Sequence, residues 1–387
     1  MPIILGSDRL LASTRLTGAR VGLVCNQASV DASFRNISDR LASCPSTELV
    51  ALYGPQHGFQ SDVQDNMIET AHAQHSKLLV PIYSLYGETR EPTASMLSNI
   101  DVLVVDLQDI GTRVYTYIYT MANCLRASCT NNVPIIVCDR PNPIGGECVE
   151  GPVLDGSFTS FVGQFPIPMR HGMTIGELAR LFNEHFSIWA QLEVIKIEGW
   201  KRTMYFEMTE LPWIFPSPNI PTPTSALVYP GTVLFEGTNI SEGRGTTKPF
   251  ELVGAPWIDA NDLARRMNDS NLSGVHFRST SFMPTFQKHA GKQCGGVQIH
   301  ITDRQTFRPV HAAVTLLSEL YQADPKRFKW RAPPYEYERV KHPIDILWGS
   351  DELRRLIETN VHPIDIVHGW EPALEQFQEV REQYLLY

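Results

Sequence analysis

Five apolar runs in the first 140 residues each break off into polar side chains. Ala19 to Cys25 ends in Asn26, and Glu48 to Tyr53 opens into Gly54-Pro-Gln56-His57-Gly58. Leu78 to Tyr83 leads to Glu88, and Val102 to Val105 runs into Asp106, Gln108, Asp109, Arg113 and Tyr115. Val133 to Cys138 ends in Asp139, Arg140 and Asn142. Amides, carboxylates, guanidinium groups and a phenol gathered in one crevice suit a polyhydroxylated ligand, because each sugar hydroxyl both gives and takes a hydrogen bond. The competing reading for Asp106, Asp139 and Arg140 is a buried ionic network that closes the sheet.

A second polar stretch lies at 229–256, where Gly243 and Gly245 flank Arg244 and Glu236 and Asn239 precede it. Backbone N–H groups in a Gly-Arg-Gly turn, with a guanidinium beside them, could form a receptor for a carboxylate or phosphate. Arg170 and His171 make a third polar pair expected at the same crevice. Other chemistries lack their signatures: no GxGxxG follows the first strand, and there is no Walker sequence, GxSxG or HExxH. His57, Asp65, His72 and His75 match no helical or hairpin spacing of metal ligands, so a solvated loop is expected there and no metal.

Strand ends can converge only if the strands share a sheet. Val102 to Val105 is apolar without alternation, as in a strand covered on both faces, and strands alternating with helices predict a parallel, Rossmann-like sheet. Ligands of such sheets sit outside the strands' carboxyl ends. Thr174 and Glu177 form a capping box ahead of an apolar stripe. The proline-rich Leu211 to Tyr229 is expected to cross between lobes. The organisation expected is therefore a catalytic α/β domain at 1–205 and a smaller ancillary α+β domain at 206–387 that completes the cleft. His342-Pro-Ile-Asp-Ile and His362-Pro-Ile-Asp-Ile read as matching helix starts.

The chain has 387 residues, 43% hydrophobic and 19% charged, with a net charge of -9. No basic cluster offers a nucleic-acid face, and no apolar run approaches the roughly 20 residues of a membrane helix. With no signal peptide visible at the start, a cytoplasmic location is expected. The seven scattered cysteines fit reduced, buried thiols.

The segments GPQHGF, YSLYGETREPT, DVLVVDLQDIGTRVYTYIYTM, DRPNPIGG, VEGPVLD, SFVGQFPIPMRHGMTIGELA, SPNIPTP and YPGTVLFEGTNISEGRGTTKPFELVGAPW resemble the NamZ-type exo-β-N-acetylmuramidases, long carried as a domain of unknown function. The resemblance implies a Rossmann-like catalytic domain and an ancillary domain, with a cleft between them that removes terminal N-acetylmuramic acid from peptidoglycan fragments, for wall recycling, without metal or redox cofactor. It also implies a catalytic glutamate in a Pro-Glu-His-Gly motif, where this chain carries Gln56. Glu69, Glu236 and Asp106, with His57, then become the candidate catalytic groups, since a glycosidase ordinarily needs two carboxyls. Gln56, Gln108, Arg113, Tyr115, Asp139, Arg140, Asn142, Arg170, His171, Asn219, Asn239 and Arg244 are the candidate sugar contacts. Arg244, followed by Arg113 and Arg170, is expected to meet the lactyl carboxylate. The alternative is a non-catalytic binder or sensor of wall sugars.

Overall fold

The computed structural model describes residues 2–65 and 67–387. The strands in chain order are β1 (Arg20–Val24), β2 (Glu48–Gly54), β3 (Ala73–Gln74), β4 (Pro81–Ser84), β5 (Val102–Val105), β6 (Ile135–Cys138), β7 (Glu150–Val153), β8 (Pro168–Arg170), β9 (Leu192–Ile195), β10 (Leu252–Ala255), β11 (Val275–Phe282) and β12 (Cys294–Ile301). Seven of them form one sheet in the order β3-β4-β2-β1-β5-β6-β9, parallel except for β3 at the edge. β5 lies beside β1 near the centre, and all four of its side chains are buried. A mixed α/β protein with a Rossmann-like parallel sheet and a smaller antiparallel sheet, β10-β12-β11, is therefore observed as expected.

Local chemistry accounts for the main helices. Thr174 accepts from the Glu177 backbone and Glu177 accepts from the Thr174 backbone, which closes the capping box of the helix Ile175–Glu184. Both His-Pro-Ile-Asp-Ile segments start helices, with Pro343 and Pro363 at the first helical positions, where a missing N–H costs nothing. The proline-rich stretch holds more structure than a linker. Thr222 caps a buried helix, Pro223–Thr232, that begins with one proline and contains another, Pro230. Pro168 to Arg170 is paired with β7 as a small antiparallel ribbon.

Alternation along β1 divides the apolar interior. Val21, Leu23 and Cys25 pack on one face of the sheet in a small cluster with Leu10, Leu41 and Leu52. Val24 faces the other way, into a core that runs through Leu103, Phe182, Leu234, Val297 and Leu317 to Phe377. This larger core joins the parallel sheet, the antiparallel sheet and the C-terminal helices. The cysteines are free thiols, and Cys294 is a buried one. No helix of the described residues is long and apolar enough to cross a membrane.

Candidate active site

The sharp turn after β2 places Gln56 and His57. A side chain at Gly54 would strike the Phe59 backbone at 2.9 Å, and His57 itself adopts φ +70°. Both side chains line a small cavity of about 30 Å³ with Tyr115, Thr116, Ser217, Asn219, Tyr229, Arg244, Tyr335 and Glu336. That volume takes only one or two waters. His57 Nδ1 lies 2.8 Å from the Val63 carbonyl oxygen. A carbonyl can only accept, so Nδ1 carries the proton and Nε2 presents its lone pair. Burial first, and the nearby charge of Arg244 as well, lower the imidazole pKa to about 4, so His57 is neutral at pH 7.

Gln56 is held at both ends. Its carbonyl accepts from Thr116 Oγ1 at 2.6 Å, and its amide donates to Glu336 Oε1 at 3.3 Å. Glu336 also accepts from Tyr86 O–H at 2.9 Å, and its backbone N–H meets the Met67 sulfur at 3.2 Å. With 2% of its surface exposed, Glu336 has its pKa pushed up to about 7 by burial first and by the charge of Glu236. Its backbone φ of +43° is unusual for a side-chain-bearing residue and is the kind of strain found at functional positions.

Glu236 behaves in the opposite way. Burial would raise its pKa, but the charge of Arg244 and hydrogen bonds from Tyr335 and Arg244 bring it below the ordinary carboxylate value. Arg244 Nη2 stands 2.6 Å from Glu236 Oε1, and Tyr335 O–H donates to Oε2 at 2.7 Å. Gly243 and Gly245, at φ +82° and +78°, wrap the chain so that Arg244 points inward. The Gly243 N–H is taken by Ser241 Oγ, and the Gly243 carbonyl accepts from the Thr246 N–H, which closes the turn.

Arg244 also lines a larger cleft of about 500 Å³, together with Asp65, Met67, Glu236, Asn239, Glu242, Lys288 and Arg331. A cleft of this size falls within the range of small-ligand sites. Residues of the loop after β2 form one wall. The Gln64 amide donates to Asn219 Oδ1 at 2.9 Å, and Asp65 is hydrogen-bonded by Gln287.

Of the side chains singled out in the sequence, Gln56, His57, Tyr115, Asn219 and Arg244 thus meet in the cavity, and Glu236, Asn239 and Arg244 in the cleft. The rest are held elsewhere. Asp106 is fully buried in a two-pronged pair with Arg140, at 2.6 and 2.8 Å, so the ionic-network reading describes it. Asp139 accepts from Thr174, Gly176 and Tyr387. Gln108 donates to the Asp109 and Pro141 carbonyls, and Asn142 to that of Met173. His171 Nε2 lies 3.3 Å from Asp109. Arg113 is surrounded by the carbonyl oxygens of Pro152, Ile167, Leu347 and Trp348. Arg170 donates to Ile144 O. Glu69 is at the surface, its side chain 53% exposed and paired with Arg90 at 3.1 Å. Sequence reasoning did not single out Glu336. Its one signal was an acidic residue between two tyrosines after Pro333-Pro334.

Two family models cover the chain: exo-beta-N-acetylmuramidase NamZ, N-terminal, over residues 21–224, and the corresponding C-terminal model over residues 227–387. The chain belongs to the NamZ family. A curated relative, the peptidoglycan beta-N-acetylmuramidase NamZ of Bacillus subtilis (strain 168), is 47% identical over 384 residues, which is 99% of this chain and 91% of that protein. Two crystal structures of DUF1343 family proteins from Bacteroides fragilis share the NamZ-family fold. One superimposes with a TM-score of 0.90 at 37% identity, the other with 0.78 at 28%, and each alignment covers 100% of this chain and 99% of the other.

Proposed function

We propose that the protein is a glycoside hydrolase that removes terminal N-acetylmuramic acid from peptidoglycan fragments, with Glu336 as the acid and Glu236 as the anionic partner. The observation that carries this reading is the pair of buried carboxyls whose surroundings drive their pKa values apart, one up to about 7 and the other below its usual value. Divergent carboxyls are what glycosidic cleavage requires, one protonated to assist the leaving oxygen and one ionised to face the developing positive charge at the sugar. The family match and the 47% identical muramidase support the same reaction.

In this reading the sugar ring enters the 500 Å³ cleft beside Glu236, and Glu336 acts from the adjoining small cavity, with Arg244 lining both. Gln56 cannot exchange a proton at neutral pH, but its amide steadies Glu336 while Thr116 steadies Gln56. The acid is therefore supplied from residue 336, next to the position where the resemblance implies a glutamate. Arg244 holds Glu236 ionised, and neutral His57 accepts from a sugar hydroxyl or a water through Nε2. Residues 1–205 contribute Gln56, His57 and Tyr115, and residues 206–387 contribute Glu236, Arg244 and Glu336, so the proposed catalytic and ancillary domains complete one site together.

Turnover of a chromogenic N-acetylmuramic acid β-glycoside tests the assignment. Release of the chromophore by the wild-type protein, lost in Glu336→Gln and in Glu236→Gln, is the expected result. Binding of the glycoside without release would replace the hydrolase with a wall-sugar sensor.

A further inference from the structure

Muramic acid differs from its neighbour sugar in peptidoglycan by a lactyl carboxylate, so selective removal requires a cation with donors to offer. The arginines first expected in that role are occupied. Arg244 is paired with Glu236 and Glu242, at 2.6 and 3.4 Å. Arg113 lies among four backbone carbonyls away from the cleft, and Arg170 is bound to Ile144. Lys288 lines the cleft, yet its ammonium is surrounded by the Phe235 and Ile240 carbonyls and the Glu242 carboxylate, all within 3.0 Å.

Arg331 remains. It lines the cleft and is half-buried, and its backbone N–H is fixed to the Gly237 carbonyl at 2.8 Å. Its guanidinium carbon sits 5.6 Å from the centre of the Tyr335 ring, the ring whose hydroxyl holds Glu236. Among the described residues no carboxylate or carbonyl accepts a hydrogen bond from this guanidinium. A guanidinium beside an aromatic ring at the wall of a cleft suits a planar, two-oxygen acceptor.

Resting on the muramidase reading above, we infer that Arg331 is the specificity residue that pairs with the lactyl carboxylate and so distinguishes N-acetylmuramic acid from N-acetylglucosamine. Glu242 and Glu236 already offset Lys288, whose pKa burial lowers first, while the charge of Arg331 acts on the same ammonium from across the cleft. Tyr335 links this contact to the chemistry, because the residue beneath Arg331 holds Glu236 and adjoins Glu336 in the chain.

Calorimetric titration of N-acetylmuramic acid and of N-acetylglucosamine into wild type, Arg331→Met and Arg331→Lys tests the inference. Methionine keeps an apolar stem over Tyr335 and removes the charge, and thermal melting verifies that each variant is folded. Wild type is expected to favour N-acetylmuramic acid. Arg331→Met should lose about 10- to 100-fold in affinity for it, the range for a hydrogen-bonded charge, and change by less than about twofold for N-acetylglucosamine. Arg331→Lys, which supplies a charge without the fork, should fall between the two. In turnover, KM for the muramic acid glycoside should rise while kcat is kept, because the carboxylate is bound equally in ground and transition states. Discrimination in Arg331→Met equal to that of wild type would overturn the inference, and so would a wild type that binds both sugars alike. A wild type that binds N-acetylmuramic acid selectively yet hydrolyses no glycoside would refute the hydrolase and leave the role of Arg331 standing.

Discussion

Replacing Glu336 with glutamine should slow the enzyme and, at alkaline pH, stabilise it. The buried carboxyl titrates near 7 in the folded protein against an ordinary 4.5. A carboxyl with a raised pKa holds its proton more tightly folded than unfolded, so its contribution is neutral below pH 4.5, turns destabilising as pH rises from there and reaches its full size above 7. The full penalty is about 3 kcal/mol, since each tenfold gain in proton affinity on folding is worth about 1.36 kcal/mol. Only a small part of it is present at pH 5, so between pH 5 and pH 8 the penalty grows by about 2–3 kcal/mol. Glutamine has nearly the same shape and no charge, and its amide can still meet Tyr86 O–H, whose oxygen both gives and accepts. Urea denaturation of wild type and Glu336→Gln at pH 5 and pH 8 should therefore show the variant gaining about 2–3 kcal/mol on wild type across that interval. The same variant should lose about 10²- to 10⁴-fold in kcat, the usual contribution of a positioned general acid. Wild-type kcat/KM should fall about tenfold per pH unit above roughly 7, as the acid loses its proton. A variant that keeps a tenth or more of the wild-type rate, or whose relative stability is the same at both pH values, would refute the assignment of Glu336.

Other substitutions separate chemistry from scaffold. Asp106→Asn breaks the buried pair with Arg140 and should cost about 3–5 kcal/mol in denaturant titration while leaving kcat per folded molecule unchanged. Gln56→Glu adds a second acidic group within hydrogen-bonding reach of Glu336, and like charges raise each other's pKa, so the alkaline limb of the pH–rate profile should move to higher pH. Glu69→Gln removes an exposed ion pair with Arg90 and should change kcat/KM and stability only slightly, by less than about twofold and about 1 kcal/mol.

Much of the framework was legible because it depends on local patterns. An uninterrupted apolar run such as Val102 to Val105 can be satisfied only by burial on both faces, and Thr174 with Glu177 writes a helix start into four residues. Part of the proposed site was legible for a similar reason: the glycines around His57 and Arg244 mark backbone that must turn tightly to project a neighbour inward. Three of the residues held away from the cavity and the cleft share one cause. Asp106, Asp139 and Asn142 do stand at strand ends, but the segment at 139–144, the helix Ile175–Glu184 and Tyr387 cover that part of the edge and take up their hydrogen bonds. Which strand ends stay open depends on packing between segments far apart in sequence. Glu336 was missed because its raised pKa comes from burial that no periodicity announces, and because its partners Tyr86 and Gln56 stand some 250 and 280 positions away.

The apolar interior that continues from the parallel sheet through the antiparallel sheet to Phe377 has a thermodynamic corollary. Elements that share one hydrophobic seam cannot swing apart as independent bodies without wetting it, and the hydrogen bonds between Gln64 and Asn219 and between Asp65 and Gln287 add side-chain ties between the two halves of the chain. Scanning calorimetry should accordingly record a single endotherm for the entire chain, and a ligand that occupies the cleft should shift that one peak upward as a unit.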